Sequence, residues 1–445
     1  MSLAAIILAA GQGTRMNSDL PKVLHPLAGV PMLAHAMAAV EADRIVVVVG
    51  HGAEAVTKTV ATIDENAVTV LQEEQQGTGH AVRIAEGELA NFEGDVIVLY
   101  GDTPFISSKT IERMQAEREA GAAVVVLGFE ADNPGGYGRL VLDENGLNAI
   151  VEAKDARPAE LDITLCNSGV VMANRRVLFE LLASVGNGNA KGEYYLTDIV
   201  AIARENELRC VAVTCDEEET LGINSRADLA AAEAVFQARA RSEAMANGAT
   251  LINPETVWFA LDTAIGRDVV IEPNVFFGPG VTVESGATIR AFCHLEGCHI
   301  SNGAMIGPYA RLRPGAEIGG DARIGNFVEV KNAVLEEGAK ANHLAYIGDG
   351  HIGEAANIGA GTIFCNYDGV SKHRTEIGKR AFIGSNSALV APVAIGDEAV
   401  IGSGSVITRN VAAGDLAVAR GSQENKAGLG RRLMEMLRRK KARRE

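Results

Sequence analysis

The first limits on this sequence come from what it lacks. No uninterrupted apolar run is long enough to cross a bilayer. Met1-Ser2-Leu3 leads into an apolar stretch without a charged n-region, so neither a membrane span nor a signal peptide is expected, and the chain reads as cytoplasmic. Positive charge is in short supply: 41 Lys and Arg stand against 57 Asp and Glu, a net charge of −16, which argues against a general nucleic-acid binder. The locally basic stretch from Arg431 to Arg444 reads as a solvated tail. The six cysteines form no C-x-x-C pair and are expected to stay reduced. Cys293-His294 and Cys298-His299 fit no standard zinc spacing and read as repeat packing. Two common phosphate loops are missing as well. Met16 stands where G-x-G-x-x-G requires its third glycine, and no G-K-[ST] follows at Walker spacing.

What is present is enough for two domains: 445 residues, 47% hydrophobic and 22% charged. Near the amino end the apolar run Ala4-Ala5-Ile6-Ile7-Leu8 predicts a buried parallel strand. Leu8, Ala9, Ala10, Gly11 and Gly13 then fall at its carboxyl end, where open α/β sheets bind ligands. Small residues there let backbone N–H groups approach a polyphosphate, and Arg15 and Lys22 add fixed positive charge. Further apolar runs at Ile45-Val49, Val68-Leu71, Val96-Leu99 and Val124-Leu127, with helices predicted near Met32-Val40 and Thr110-Ala120, imply a parallel sheet covered by helices. The crossover rule gathers the strand ends on one rim. Gln72, Gly77 and Thr78 lie there, able to read a base edge or a phosphate, beside Tyr100-Gly101-Asp102, whose carboxylate is a natural anchor for Mg²⁺.

G-x-G-T-R-M followed by Pro21-Lys22 resembles the signature of sugar-phosphate nucleotidyltransferases. The resemblance implies that the loop holds a nucleoside triphosphate while Arg15 and Lys22 neutralise its phosphates. It also implies that Gly138, Glu152 and Asn167, in a glycine-rich region beginning at Asn133, contact the sugar, and that Asn224 joins Asp102 on the metal. The chemistry expected is in-line attack of a sugar 1-phosphate on the α-phosphorus. An anionic nucleophile needs no general base, in keeping with the lack of an obvious His–carboxylate pair.

Ser225 to Ala249 reads as a long connecting helix ended by Gly248. Beyond it, apolar residues recur every six positions at Ile265, Ile271, Phe277, Val283 and Ile289, slip by one near Leu295, and resume at Ile306 and again at Ile377, often as Ile-Gly. That period predicts a parallel β-helix, and the hexapeptide pattern resembles left-handed β-helix acyltransferases, usually trimers. The period lapses between Lys331 and Ile347 and at Thr362 to Glu376, which predicts two expelled loops. The first encloses His343, the side chain best suited to take a proton from an amine at neutral pH.

Taken together, the chain resembles the family of bifunctional N-acetylglucosamine-1-phosphate uridylyltransferases and glucosamine-1-phosphate acetyltransferases. The fold implied is an α/β, Rossmann-like nucleotidyltransferase domain (1–226), a linker helix (227–247) and a left-handed parallel β-helix with a basic tail (248–445). The resemblance makes His343 the base and assigns the sugar phosphate to Arg313, Lys331, Tyr346 and Asn357. It assigns acetyl-CoA to Ala360, Asn366, Tyr367, Ser385, Ser403 and Arg420, with UTP and Mg²⁺ at the amino-terminal site and a homotrimer as the assembly. Two other readings are a single-activity nucleotidyltransferase with a regulatory β-helix and a scaffold that has lost both sites. The coherent His343 set and the intact Arg15, Lys22, Asp102 and Asn224 weigh against them.

Overall fold

The computed structural model describes residues 2–189 and 191–443. The chain divides into two compact units, 1–240 and 241–445.

The amino-terminal unit is built on a sheet whose main strands are β1 (Leu3–Ala9), β2 (Arg44–Val49), β3 (Val68–Leu71), β4 (Asp95–Tyr100), β5 (Val124–Glu130), β6 (Leu165–Asn174) and β7 (Cys210–Cys215). Their order is β7-β5-β6-β4-β1-β2-β3. The central runs of β1, β2, β4 and β5 are almost wholly apolar because both of their faces are buried. Ala4, Ile6, Val46, Val48, Val96 and Val98 pack to one side with Leu178, Leu182 and Ile199. Ala5, Ile7, Val47, Val49, Ile97 and Leu99 pack to the other with Leu33, Met37, Ile111 and Met114.

The strands expected from the apolar runs are mutually parallel, and the sheet also holds one strand of opposite direction that the runs did not announce. Strand β6 runs antiparallel to both β4 and β5. The chain between β5 and β6 holds an antiparallel hairpin, Arg139–Asp143 with Gly146–Val151, in place of a crossover helix, so β6 starts from the rim where β5 ends. A register shift between Asn167 and Val171 interrupts its ladder at that rim. The two helices predicted by pattern form at Met32–Ala38 and Ser108–Glu119.

The connecting helix spans Arg226–Ala246. Its start carries a reciprocal cap: Asp228 Oδ2 accepts from the Ser225 and Asn224 amides at 2.9 and 3.0 Å, and the Asp228 amide donates to Ser225 Oγ at 3.2 Å.

The second unit winds short parallel strands into coils. One ladder runs from Thr250–Leu251 to Leu416–Ala417 through ten strands, and a larger sheet supplies the remaining faces. Ile271, Phe277, Val283, Ile289, Leu295, Ile300 and Ile306 point inward and are fully or almost fully buried. Where glycine follows an inward residue, as at Gly325 after Ile324, stacking of the next coil requires it. A Cβ on Gly325 would stand 1.8 Å from the Asn342 carbonyl oxygen of the next coil.

One of the two expected loops does not exist. Residues Lys340–His343 form a strand in register with Arg323–Asn326, and Tyr346–Ile352 continues directly beyond it. The inward series is uninterrupted, with Ala341 taking a place that Ile, Leu or Val fills elsewhere; its small side chain hid the repeat. The other loop is real. Between Ile363–Cys365 and Thr375–Ile377 the chain leaves the coil and returns through a Tyr367–Lys372 bridge.

Candidate functional site

The amino-terminal site forms where β1 gives way to Ala10–Gly13. A Cβ on Gly13 (φ 61°) would lie 2.6 Å from Lys22 Cβ, so glycine there lets the lysine cross the loop. The loop borders a cavity of about 300 Å³ lined by Leu8, Ala9, Ala10, Gly11, Lys22, Gln72, Gly77, Thr78, Tyr100 and Asp102, all expected from sequence. Glu193, whose stretch Glu193-Tyr194-Tyr195 reads from sequence as able to match sugar hydroxyls, lines it too, and so do Val23, Gln75 and Ala81, which were not expected. Gln75 Nε2 donates to the Ala10 carbonyl at 2.6 Å, fixing the loop. Its only sequence signal was nearness to Gly77-Thr78-Gly79.

Lys22 Nζ donates to Asp102 Oδ2 and, at 3.1 Å, to Asn224 Oδ1. Thus the carboxylate at the end of β4 and the amide before the connecting helix converge on one ammonium. The Ile223 amide, donating to the Asp102 carbonyl at 2.9 Å, holds them together. Arg15 is exposed and does not line the cavity. It adds its field to Asp228, whose carboxyl lies below the usual range despite burial, which pushes it up, because the Asn224 and Ser225 amides hydrogen-bond it. Arg226, not foreseen, donates to the Met16 carbonyl at 3.2 Å and bonds His25 Nδ1 at 3.1 Å, so the helix that follows Asn224 also grips the segment after β1.

Gly138, Glu152 and Asn167 gather beside this cavity without lining it. The Asn167 amide donates to the Gly138 carbonyl at 2.8 Å, and Thr197 Oγ1 donates to Glu152 Oε1 at 3.4 Å. Burial, then the charges of Asp102 and Glu152, raise the Tyr100 hydroxyl well above its ordinary range, so it remains a neutral donor. Gly101 serves packing: a Cβ there would meet Val23 and Leu33 at 3.1 and 3.3 Å.

In the second unit the proposed sugar-phosphate residues stack on successive coils. Arg311, Glu329 and Tyr346 are in register, Lys331 is in register with Gly348, and Arg313 donates to Glu329 at 2.9 Å. Asn366 donates to Asp349 Oδ2 at 2.5 Å. A Cβ on Gly348 would come within 2.5 Å of the Tyr346 hydroxyl and 2.7 Å of the Asn366 amide, so glycine leaves room for the two to approach. Asn357 lies on another face, in register with Lys340 and Phe382.

His343 is exposed at a corner three residues before Tyr346. Its Nδ1 bonds Asn326 Oδ1 at 2.7 Å; with Nδ1–H as donor, Nε2 keeps a bare lone pair. It borders a cavity of about 320 Å³ with Arg290, Arg323, Asn326 and Asn342, and none of the four expected sugar-phosphate residues lines that cavity. From this corner the register Ala341, Ile358, Ile383, Ile401 sets His343, Ala360, Ser385 and Ser403 in one column along the edge. Arg420 closes the column by donating to the Ser403 carbonyl at 2.5 Å. Tyr367 stands on the expelled loop, with Lys372 Nζ 4.4 Å from its ring centroid.

Among the described residues no group of three or more His, Cys, Asp or Glu is placed to hold a metal. Cys293 and Cys298 are buried in the repeat, their thiols pushed up to about 11 and about 12 chiefly by burial.

Comparison with known proteins matches residues 5–191 to the MobA-like NTP transferase domain. Residues 297–332 match the bacterial transferase hexapeptide and 374–409 the hexapeptide repeat of succinyl-transferase. Over 445 residues, 99% of each chain, the sequence is 64% identical to "Bifunctional protein GlmU" of Ruegeria sp. (strain TM1040). The chain belongs to the GlmU family. A second GlmU, from Dinoroseobacter shibae, is 61% identical over 99% of each chain, and one from Paracoccus denitrificans is 62% identical over 99% of this chain and 98% of its own. As a GlmU-family member the chain is bifunctional: an N-acetylglucosamine-1-phosphate uridylyltransferase and a glucosamine-1-phosphate acetyltransferase. A merely regulatory β-helix and an inactive scaffold are set aside.

Proposed function

We propose that the cavity at the end of β1 performs uridylyl transfer and the corner bearing His343 performs acetyl transfer. The observation that carries the first assignment is the convergence of Asp102 and Asn224 on Lys22 at the mouth of a loop built of small residues. In this reading UTP lies across Ala9–Gly11, with its base toward Gln72 and Thr78. Gly138, Glu152 and Asn167 meet the hydroxyls of N-acetylglucosamine 1-phosphate. A phosphate oxygen of the sugar attacks the α-phosphorus, the bond to the bridging oxygen breaks, and pyrophosphate leaves. Lys22 and Arg15 offset the charge that builds up, and no proton has to move.

The donor set suits Mg²⁺. One carboxylate and one amide oxygen are hard ligands, already able to share a single cationic partner, and a two-ligand protein site is what an ion arriving with its nucleotide requires. Asp102 and Asn224 would hold it. When bound, Mg²⁺ supplies charge neutralisation at the phosphates.

In the second site His343 Nε2 accepts the proton of the glucosamine amine as the nitrogen attacks the acetyl thioester. The C–S bond then breaks, and coenzyme A leaves as the thiol by taking back the proton that His343 Nε2 had accepted. Backbone amides near Ala360 steady the oxyanion, Arg313 and Lys331 hold the sugar phosphate, and acetyl-CoA extends along Ser385 and Ser403 to Arg420. The assembly proposed is a homotrimer. An exposed apolar edge supports self-association: Phe292, Tyr309 and Phe327 stack at centroid distances of 4.8 and 5.3 Å while staying about half exposed. The place of action proposed is the cytoplasm; no described helix is long and apolar enough to cross a membrane.

One coupled assay tests the whole reading: glucosamine 1-phosphate, acetyl-CoA, UTP and Mg²⁺, with thiol and pyrophosphate followed separately. Both should appear. Pyrophosphate without Mg²⁺, or thiol release that ignores glucosamine 1-phosphate, would overturn the corresponding assignment.

A further inference from the structure

We infer that the carboxyl-terminal helix, Leu429–Ala442, is an interfacial anchor that lies on anionic phospholipid. Every one of its residues is exposed. Leu429, Leu433, Met436 and Leu437 recur at the spacing of a single helical stripe and are 50%, 49%, 57% and 46% exposed. Arg431, Arg432, Arg438 and Arg439 fill the sides, and Lys440, Lys441 and Arg443 close the end. Residues 429–443 thus hold seven cations against one carboxylate, Glu435, which leaves 34 basic residues facing 56 acidic ones in the rest of the chain. An apolar stripe flanked by cations is what an anionic bilayer interface accepts, and at about 21 Å the helix is too short to span the hydrocarbon layer.

The acidic body does not forbid this. Residues 421–428 are all exposed and belong to no helix or strand. Extended, they reach about 26 Å, roughly three Debye lengths at physiological salt, so the repulsion between body and membrane is screened while the helix sits down. An acidic face on a second copy would also attract these cations, but it would have to supply an apolar groove at a matching place. A bilayer interface offers both layers everywhere.

The test uses the full-length protein with vesicles of phosphatidylcholine, with and without phosphatidylglycerol, followed by sedimentation. Expected are binding only where phosphatidylglycerol is present and release at high salt. Arg438→Gln with Arg439→Gln should weaken partitioning about thirtyfold, and Leu433→Glu with Leu437→Glu should abolish it. Uridylyl and acetyl transfer in solution should stay unchanged in both variants, which separates this proposal from the active-site reading. Binding that ignores phosphatidylglycerol, binding that survives the Leu433→Glu and Leu437→Glu changes, or a loss of self-association in that variant would overturn it; the last result would give the helix to a second copy.

Discussion

Lys22 and Asp102 are joined by a salt bridge across the mouth of the amino-terminal cavity, with side chains 12% and 19% exposed. The bridge ties the loop after β1 to the end of β4 and puts an ammonium on the two oxygens proposed for the metal. Removing the carboxylate in Asp102→Ala should lower uridylyl transfer by at least 10²-fold while leaving acetyl transfer intact. Lys22→Met should lower it comparably, yet free Asp102 and Asn224 of their cation. Titration of Mn²⁺ into nucleotide-free protein should then show tighter binding to Lys22→Met than to the unaltered chain. Weaker or equal metal binding would mean that the lysine does not compete for those oxygens.

The bond from His343 to Asn326 sets a graded pair of effects. His343→Ala should cost acetyl transfer about 10²–10⁴-fold, the range for a positioned general base, with pyrophosphate release unchanged. Asn326→Ala keeps the imidazole but loosens its tautomer, so it should cost less and chiefly in kcat. If Asn326→Ala proved as damaging as His343→Ala, the base would have to be sought elsewhere.

Stacking of the coils makes Gly325 intolerant of a side chain. The Cβ introduced by Gly325→Ala would meet the Asn342 carbonyl oxygen at 1.8 Å, a rigid backbone atom. Destabilisation of about 3 kcal/mol or more is expected for the second unit, together with loss of acetyl transfer, because Asn342 adjoins His343. Calorimetry should show that unit's transition shifted down and the other in place.

Asp228 gives a pH signature to the start of the connecting helix. Its native carboxyl is more acidic than the ordinary value of 3.8, through the Asn224 and Ser225 amides. The stabilisation is therefore complete above that value and is lost as pH falls through the lower native one. Asp228→Ala should cost about 1 kcal/mol at neutral pH, and the difference from the unaltered chain should shrink as pH falls below the ordinary value of 3.8. A difference that persisted undiminished in acid would show that the cap does not depend on the charge.

Long apolar strands and the regular six-residue repeat were legible because burial on both faces, or inside a prism, leaves a pattern in side-chain type. Strand β6 was not legible, since Asn167-Ser168-Gly169 interrupts its apolar run, and its antiparallel direction follows from the preceding hairpin. Ala341 kept the inward register with too small a side chain to announce it, so an ordinary corner between two coil strands looked like a loop. The glycine loop, Lys22 and Asp102 were readable from composition at a strand end. Gln75, Arg226 and Asn326 were not, because each acts through hydrogen bonds to residues distant in sequence, and such bonds leave no periodic trace.

The column His343, Ala360, Ser385, Ser403 turns the solenoid into a ruler. Successive rungs are about 4.8 Å apart, so the span from imidazole to Arg420 is metered by a whole number of turns. Deleting one turn between Ala360 and Ser403 would leave each remaining turn well formed, yet a cosubstrate gripped at its far tip would arrive at the amine one rung out of step. Length in this part of the chain is therefore a catalytic quantity, counted in turns.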